Sequence, residues 1–159
     1  MPRREMTLRD SVIRALVPLN AIAVENPVLP GTPDVNFVEG WIELKSWEFW
    51  PKKSNACLRI DHWTPQQRVW HHRRSRVGGR TYVLLEVVQG HHYLLLDGGL
   101  AARMLGKLTR SQLESVALAR WTGKKEMKAG LLEFLRPTPP HVAPRDPDPH
   151  RRRAVRHAR

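Results

Sequence analysis

Two pairs of short apolar segments, each joined by a glycine-containing turn, most constrain how this chain can fold. The paired segments are 34–38 with 41–45, and 80–89 with 91–98. The segment DVNFV alternates polar and apolar residues, which is the period-two pattern of a strand. Glu39-Gly40 and Gly90 lie between the members of the pairs, where a β-hairpin has its turn. We therefore expect two hairpins.

Helical patterns surround these hairpins. Thr64-Pro65 places a capping residue before a proline at the first helical position, and Gly78-Gly79 ends the pattern that follows. The predicted helices are 7–17, 64–77, 110–121 and 124–135, with one more strand at 21–26 and a long loop at 46–63. We expect an α/β fold whose central mixed sheet has five strands and is flanked by helices.

The charge balance favours a polyanionic partner. The 159 residues include 27 Lys and Arg against 15 Asp and Glu, a formal net charge of +12. The segment 137–159 holds six arginines and two aspartates, so residues 1–136 keep 21 basic and 13 acidic residues. A positive field of this size concentrates nucleic acid near the protein surface. An anionic membrane surface is the alternative partner.

Other features disfavour whole classes of protein. Cys57 is the only cysteine of the sequence, so an internal disulfide and a cysteine-based zinc cluster are excluded. The basic N-terminal residues precede no apolar run, and no apolar stretch approaches the roughly 20 residues that cross a bilayer. We expect a cytoplasmic protein that does not associate with membranes.

The stretch GTPDVNFVEGWIELK places three charged side chains where two strands meet. Glu43 and Lys45 lie two residues apart, so they leave the same face of their strand. If the strands pair through the Glu39-Gly40 turn, Asp34 lies at the same end of the hairpin as Glu43 and Lys45. Asp34 and Glu43 offer the hard oxygen ligands that Mg²⁺ prefers, and the backbone carbonyl of Leu44 is a third candidate ligand. The pattern predicts a site for Mg²⁺, or Mn²⁺ as a substitute, where Lys45 serves the attacking water of phosphodiester hydrolysis.

These residues carry a family resemblance. Pro33-Asp34 followed by Glu43-Leu44-Lys45 resembles the signature of the PD-(D/E)XK nucleases. With Gly31 and the sequence TPQQRVW at 64–70, the stretch 5–98 is similar to VRR-NUC domains and to archaeal-type and phage Holliday junction resolvases. The resemblance implies a restriction-endonuclease-like core, Mg²⁺-dependent endodeoxyribonuclease activity, branched DNA as substrate, and a homodimer. It also implies the cytoplasm of a bacterial or phage-infected host cell.

The resemblance assigns further catalytic residues. Gln67 matches the glutamine that assists the active site in these families. The families also place an acidic residue before the PD motif, and the candidates are Glu5, Asp10 and Glu25. Glu25 is favoured, because its predicted strand brings it level with Asp34. The predicted catalytic set is therefore Asp34, Glu43, Lys45, Gln67 and Glu25.

The chain is expected to divide into three parts, and the resemblance bears only on the first. Residues 1–98 correspond to the nuclease core, and 99–136 are expected to form a helical extension packed on that core. The segment 137–159 is rich in proline and arginine and has almost nothing to bury, so a disordered basic tail is predicted.

Basic and aromatic residues outside the catalytic set are predicted to bind DNA. Arg68, His71 and Arg74 lie on the predicted helix 64–77, where we expect them to contact phosphates. Lys52 and Lys53 lie in the long loop, among aromatic residues that can stack on unpaired bases. These aromatic residues are Trp47, Phe49, Trp50 and Trp63.

Two alternative functions stay open. A nuclease of the same fold could act on flaps, nicks or duplex ends instead of junctions. A non-catalytic DNA-binding module would keep the carboxylates as structural groups and would bind DNA independently of Mg²⁺. The structural alternative for Glu43 and Lys45 is a surface ion pair, worth less than about 1 kcal/mol.

Overall fold

The computed structural model describes residues 3–137, so nearly all of the predicted tail lies outside the described residues. No helix among those residues is long and apolar enough to span a membrane. The helices are α1 Arg3–Ala15, α2 Pro65–Arg76, α3 Gly98–Met104, α4 Arg110–Val116 and α5 Lys124–Leu135, with a 3-10 turn at Val17–Leu19. The strands are β1 Ile22–Ala23, β2 Val35–Phe37, β3 Gly40–Trp47, β4 Arg80–Val87, β5 His92–Asp97 and β6 Ala119–Thr122.

A mixed six-stranded sheet is the centre of the described structure. Its strands lie side by side in chain order, from β1 to β6. β3 and β4 are parallel, and every other neighbouring pair is antiparallel. The parallel pair is connected through α2, since parallel strands need a crossover rather than a tight turn. The predicted α/β class and central mixed sheet are confirmed, but the sheet has six strands instead of five.

Alternating side chains divide the apolar core between the two faces of the sheet. On one face, Ile42 and Leu44 of β3 pack with residues of α1 and α5. On the other face, Val83 and Leu85 of β4 pack with residues of α3, α4 and the loop before α2. Side chains alternate along β3, so its residues 43 and 45 point to this second face, where they interrupt an apolar surface with charge.

The sixth strand lies where a helix is predicted. The predicted helix 110–121 is wrong beyond Val116, because Ala119–Thr122 pairs with β5. The pairing begins where the Leu118 N–H donates to the Leu95 carbonyl (2.8 Å). The cause is a tertiary contact. A strand this short has little sequence pattern of its own and is stabilised by pairing with the open edge of β5. The segment 99–136 therefore supplies a strand of the sheet as well as helices.

The long loop between β3 and α2 is fixed on the second face. Its Leu58 is buried, and the Leu58 N–H donates to the Leu108 carbonyl (3.0 Å). Cys57 is half-buried, and its thiol donates to the Lys107 carbonyl (3.2 Å). The loop follows the core closely up to the cap of α2. Helix α3 beneath it follows β5 directly and is an element that the sequence pattern does not predict.

Gly31 sets how closely the loop before β2 approaches α2. Its φ of +90° lies in the left-handed region. A Cβ at this position would lie 2.5 Å from the carbonyl carbon of Gln66 and 2.8 Å from the backbone nitrogen of Gln67. The loop that leads to Asp34 and the first turn of α2 therefore touch backbone to backbone, which only glycine permits.

We expect Gly31→Ala to lower the free energy of unfolding by about 2 to 4 kcal/mol, as left-handed strain and a backbone clash add together. Gly78→Ala is the matched control, because Gly78 has a φ of +81° but no atom within 4 Å of the place that an alanine methyl group would take. Gly78→Ala should therefore lose stability only through the left-handed backbone conformation, without a steric clash. Urea denaturation of both variants measures the difference. Equal losses of stability would contradict the backbone contact.

Candidate active site

Strands β2 and β3 bring the three predicted charged residues onto one face of the sheet. Val35 pairs with Ile42. Extending this antiparallel register by one residue places Asp34 opposite Glu43, and opposite residues point to the same face with Cβ atoms about 4.5–5.5 Å apart. The Asp34 Oδ2 atom accepts a hydrogen bond from the Leu44 N–H (2.8 Å). This bond fixes Asp34 against the edge of β3 at the point where β2 begins.

Glu43 and Lys45 form a buried ion pair beside Asp34. The Glu43 Oε1 atom lies 2.8 Å from Lys45 Nζ, and the two residues are 1% and 3% exposed. This burial excludes the surface ion pair considered from the sequence. Removing such groups from water costs several kcal/mol for each ion, so the pair is stable only with further hydrogen bonds. Buried, bonded charges of this kind are enriched at functional sites.

Gln67 supplies one of those bonds from the start of α2. Its Oε1 accepts from the Thr64 N–H (3.0 Å) while Thr64 Oγ1 accepts from the Gln67 N–H (3.2 Å), which forms a capping box. Its Nε2 donates to Glu43 Oε1 (2.5 Å). Because the cap engages the amide oxygen, the amide nitrogen is directed at the carboxylate. One side chain thus begins the helix and joins it to β3.

Lys45 is held by two groups that the predicted catalytic set does not include. Its Nζ donates to the His62 carbonyl (3.1 Å) and lies 5.8 Å from the centroid of the Trp63 ring. Trp63 is 3% exposed, so it is not available to stack on bases as expected. No motif marks His62, since any residue could supply a backbone carbonyl. The position of Trp63 directly before the cap of α2 is the signal that could have placed it here.

The structure corrects the predicted placement of His71. The ring is fully buried, and its Nδ1 shares a hydrogen bond of 2.6 Å with Thr81 Oγ1 on β4. Burial, and secondly the positive charge of Lys45, lowers the pKa of His71 to about 4. The ring is therefore neutral at neutral pH and lies inside the protein. It cannot contact DNA phosphates from this position.

Two of the three candidates for the acidic residue expected before the PD motif, Glu25 and Asp10, have described side chains, whereas the side chain of Glu5 lies outside the described residues. The Glu25 side chain is 79% exposed and pairs with Arg9 of α1 (3.0 Å). The backbone of β1 is close to Asp34, whose carbonyl accepts from the Val24 N–H (2.8 Å). Asp10 is exposed on α1. The Arg9 contact directs the Glu25 carboxylate towards α1, and its catalytic role stays a prediction.

The remaining residues predicted to bind DNA lie at two places. Arg74 is exposed on α2, with its guanidinium 5.9 Å from the centroid of the Trp70 ring. Arg68 is half-buried near the start of the same helix. Lys52 and Lys53 are exposed in the loop that follows β3. Their contacts with DNA stay predictions.

The oxygen atoms near β3 suit a hard metal ion. Within residues 7–137, no cluster of three or more His, Cys, Asp or Glu side chains has metal-binding spacing. Asp34 and Glu43 supply two carboxylates on one face. The Leu44 carbonyl points to the same side of β3 as its N–H, which contacts Asp34. Two carboxylates and a carbonyl fit Mg²⁺, which keeps several waters in its coordination shell.

Comparisons of the chain with protein-family models, with characterised proteins and with solved structures return no match. The resemblance to PD-(D/E)XK nucleases stays a prediction that depends on the motif residues. The geometry described above is an observation independent of that resemblance.

We expect Gln67→Glu to destabilise the folded protein while preserving the cap of α2. Glutamate can accept from Thr64 as glutamine does, but its second oxygen would face the Glu43 carboxylate. Two carboxylates at this distance cannot both be ionised, so the free energy of unfolding should fall by about 1 to 3 kcal/mol at neutral pH. Urea denaturation at neutral pH measures this loss.

Gln112→Glu is the control for Gln67→Glu. Gln112 forms the same capping box with Thr109 at the start of α4, where it is exposed. A glutamate in the first turn of a helix is neutral or slightly stabilising. If both variants behave alike, the bond from Gln67 to Glu43 has no energetic importance.

We expect His71→Gln to flatten the dependence of stability on acidity. A histidine whose pKa is about 4 when folded, against an ordinary 6.5, destabilises the folded state as the pH falls through 6.5 towards 4. The stability advantage of the wild type over the variant should therefore shrink by about 2 to 3 kcal/mol between about pH 7.5 and about pH 4.5. Urea denaturation at both pH values tests this, and a constant difference would show that His71 is not held neutral.

Proposed function

We propose that this protein is a Mg²⁺-dependent endodeoxyribonuclease with a restriction-endonuclease-like core. The observation that carries the proposal is the buried contact of Glu43, Lys45 and Gln67 beside Asp34. A carboxylate pair, an ammonium and a helix-borne amide are the groups that hydrolysis of a phosphodiester needs. They converge from segments that the sequence motifs had already singled out.

The chemistry can be assigned residue by residue. Asp34, Glu43 and the Leu44 carbonyl would hold Mg²⁺, which would supply the positive charge that polarises a phosphate and lowers the pKa of water. Lys45, which contacts Glu43 and the His62 carbonyl, would stabilise negative charge on the attacking oxygen or on the phosphate. Gln67 is a positioning residue that holds Glu43 through its Nε2.

The surface next to this centre favours DNA as the substrate. Helix α2 reads PQQRVWHHRRSR, with four arginines and no acidic residue. Residues 1–136 carry eight more basic than acidic residues. Positive charge of this density attracts phosphates and makes the affinity depend on salt.

The resemblance to junction resolvases makes branched DNA the favoured substrate. It also makes a homodimer the favoured assembly, because two symmetric active sites can act on two strands of similar geometry. The cytoplasm of a bacterial or phage-infected cell is the corresponding location. A nuclease of the same fold that acts on flaps, nicks or duplex ends is the alternative within the proposal.

A non-catalytic DNA-binding module is the second candidate function. The observation that favours it is the burial of Lys45, whose ammonium is bonded to Glu43 and to the His62 carbonyl. A purely structural ion pair would have the same contacts. Such a module would bind DNA equally well with and without Mg²⁺.

We expect the purified protein to cut a labelled four-way junction at symmetric positions with Mg²⁺ or Mn²⁺, and not with EDTA. Asp34→Asn should lower the cleavage rate by about a hundredfold or more, because a metal-binding charge supplies several kcal/mol to the transition state. Matched duplex, flap and nicked substrates are assayed in parallel by gel electrophoresis.

Glu133→Gln is the control, since Glu133 is exposed on α5, which packs on the opposite face of the sheet. This variant should cut at the wild-type rate. Cleavage of every substrate alike would keep the nuclease and reject the resolvase. Intact binding without cleavage in either metal would reject the nuclease and favour the binding module.

A further inference from the structure

An open apolar groove lies between α2 and the loop that contains Leu29 and Pro30. Its volume is about 650 Å³, within the range of pockets that hold small organic ligands. Leu29, Val69 and Val77 are 61%, 47% and 83% exposed. Exposed apolar surface that is contiguous in this way marks a binding surface more often than scattered single residues do. The apolar residues of the groove are Leu29, Pro30, Pro65, Val69, Trp70 and Val77.

Positive charge borders this groove. Arg73 and Arg74 line it, and Arg74 lies with its guanidinium 5.9 Å from the centroid of the Trp70 ring. No acidic residue occurs in α2. A ligand that combines an apolar part with negative charge therefore complements this groove.

The groove includes the residues that precede Gln67 in the first turn of α2. Pro65 and Gln66 line it, and the next residue, Gln67, donates to Glu43. Gly31 packs on the backbone of Gln66 and Gln67, so the loop that forms one wall also leads to Asp34. A DNA strand bound at the start of α2 would therefore lie beside residues that line the groove.

We propose that this groove binds one unpaired nucleotide of the DNA substrate, with its base on the apolar floor and its phosphate at Arg73 and Arg74. This inference rests on the proposed action on DNA and narrows the substrate class to DNA with an unpaired or extruded base next to the cut. Trp70 is the aromatic residue among those that line the groove. Stacking of a base on an aromatic ring is tolerant of sequence, because every base has a π-face.

A second copy of the chain is a poorer occupant of the groove. A two-fold contact between two such grooves would bring Arg73 and Arg74 of both copies together, and like charges at an interface oppose association. A nucleotide meets the same arginines with an opposite charge. An acidic protein segment also has negative charge to complement the arginines. The neighbouring centre proposed for phosphodiester hydrolysis favours DNA over such a segment.

The test compares two DNA duplexes that differ only at a single bulged position. The first duplex has an adenine there, and the second has an abasic residue. Fluorescence anisotropy with EDTA present gives both Kd values without cleavage. We expect the wild type to bind the adenine bulge about fivefold tighter or more. The double variant Val69→Ser with Val77→Ser should lose this preference and keep its affinity for the abasic duplex.

Val17→Ser is the matched control, because Val17 is 66% exposed on the 3-10 turn after α1 and lines no part of the groove. It should keep the full preference for adenine. Equal binding of the two duplexes by the wild type overturns the proposal, and so does a preference that survives the double substitution. Sedimentation that shows a wild-type dimer and a monomeric double variant overturns it as well, since the groove would then bind a second copy.

The failure of this inference is distinguishable from failure of the proposed function. Binding is measured without Mg²⁺, whereas the nuclease is tested by metal-dependent cleavage and by Asp34→Asn. A base preference that depends on Val69 and Val77 supports the groove even if no cleavage occurs. Cleavage without any base preference supports the nuclease alone.

Discussion

The hydrogen bond from Gln67 to Glu43 joins the two segments on which the rest of the site depends. Glu43 lies on β3 and is 1% exposed, so its charge is stable only if donors reach it inside the protein. Lys45 is one donor from the same strand, and Gln67 is another, from the first turn of α2. The start of α2 must therefore lie over the charged face of β3. The crossover between β3 and β4 is positioned by a polar contact as well as by apolar packing.

Three backbone groups lie around this contact. Gly31 lies against the first turn of α2, the Leu44 N–H donates to Asp34, and the His62 carbonyl accepts from Lys45. Backbone groups are always available for such bonds, but they are useful only where the chain is held at the right distance. The geometry of the site consequently depends on how β2, β3 and α2 pack. A substitution at Gly31 would displace Gln67 even though every charged residue of the site is unchanged.

The parts of the fold that the sequence predicts are those determined by local pattern. The hairpin around Gly40 and the cap at Thr64 follow from alternation, turn residues and the spacing of capping groups. Strand β6 and the burial of His71 depend on distant partners. Ala119–Thr122 is a strand because β5 has an open edge. Helix α2 carries basic residues around most of its circumference, so periodicity gives no sign that His71 faces inward.

Helix α2 is about 10 Å wide, and it presents a neutral side chain on its inner side and positive charge on its outer side. Towards the sheet it places the neutral ring of His71 near Lys45, while its arginines lie in its outer and terminal positions. A protonated His71 would add a second buried cation to an interior in which Lys45 is balanced by Glu43. The low pKa of His71 prevents this, so the ammonium keeps its carboxylate partner. A strongly positive exterior, suited to capturing a polyanion, is thereby compatible with a charge-balanced interior. In the proposed enzyme, the arginines of α2 would attract DNA to the protein surface. They would do so without disturbing the buried ion pair of Glu43 and Lys45.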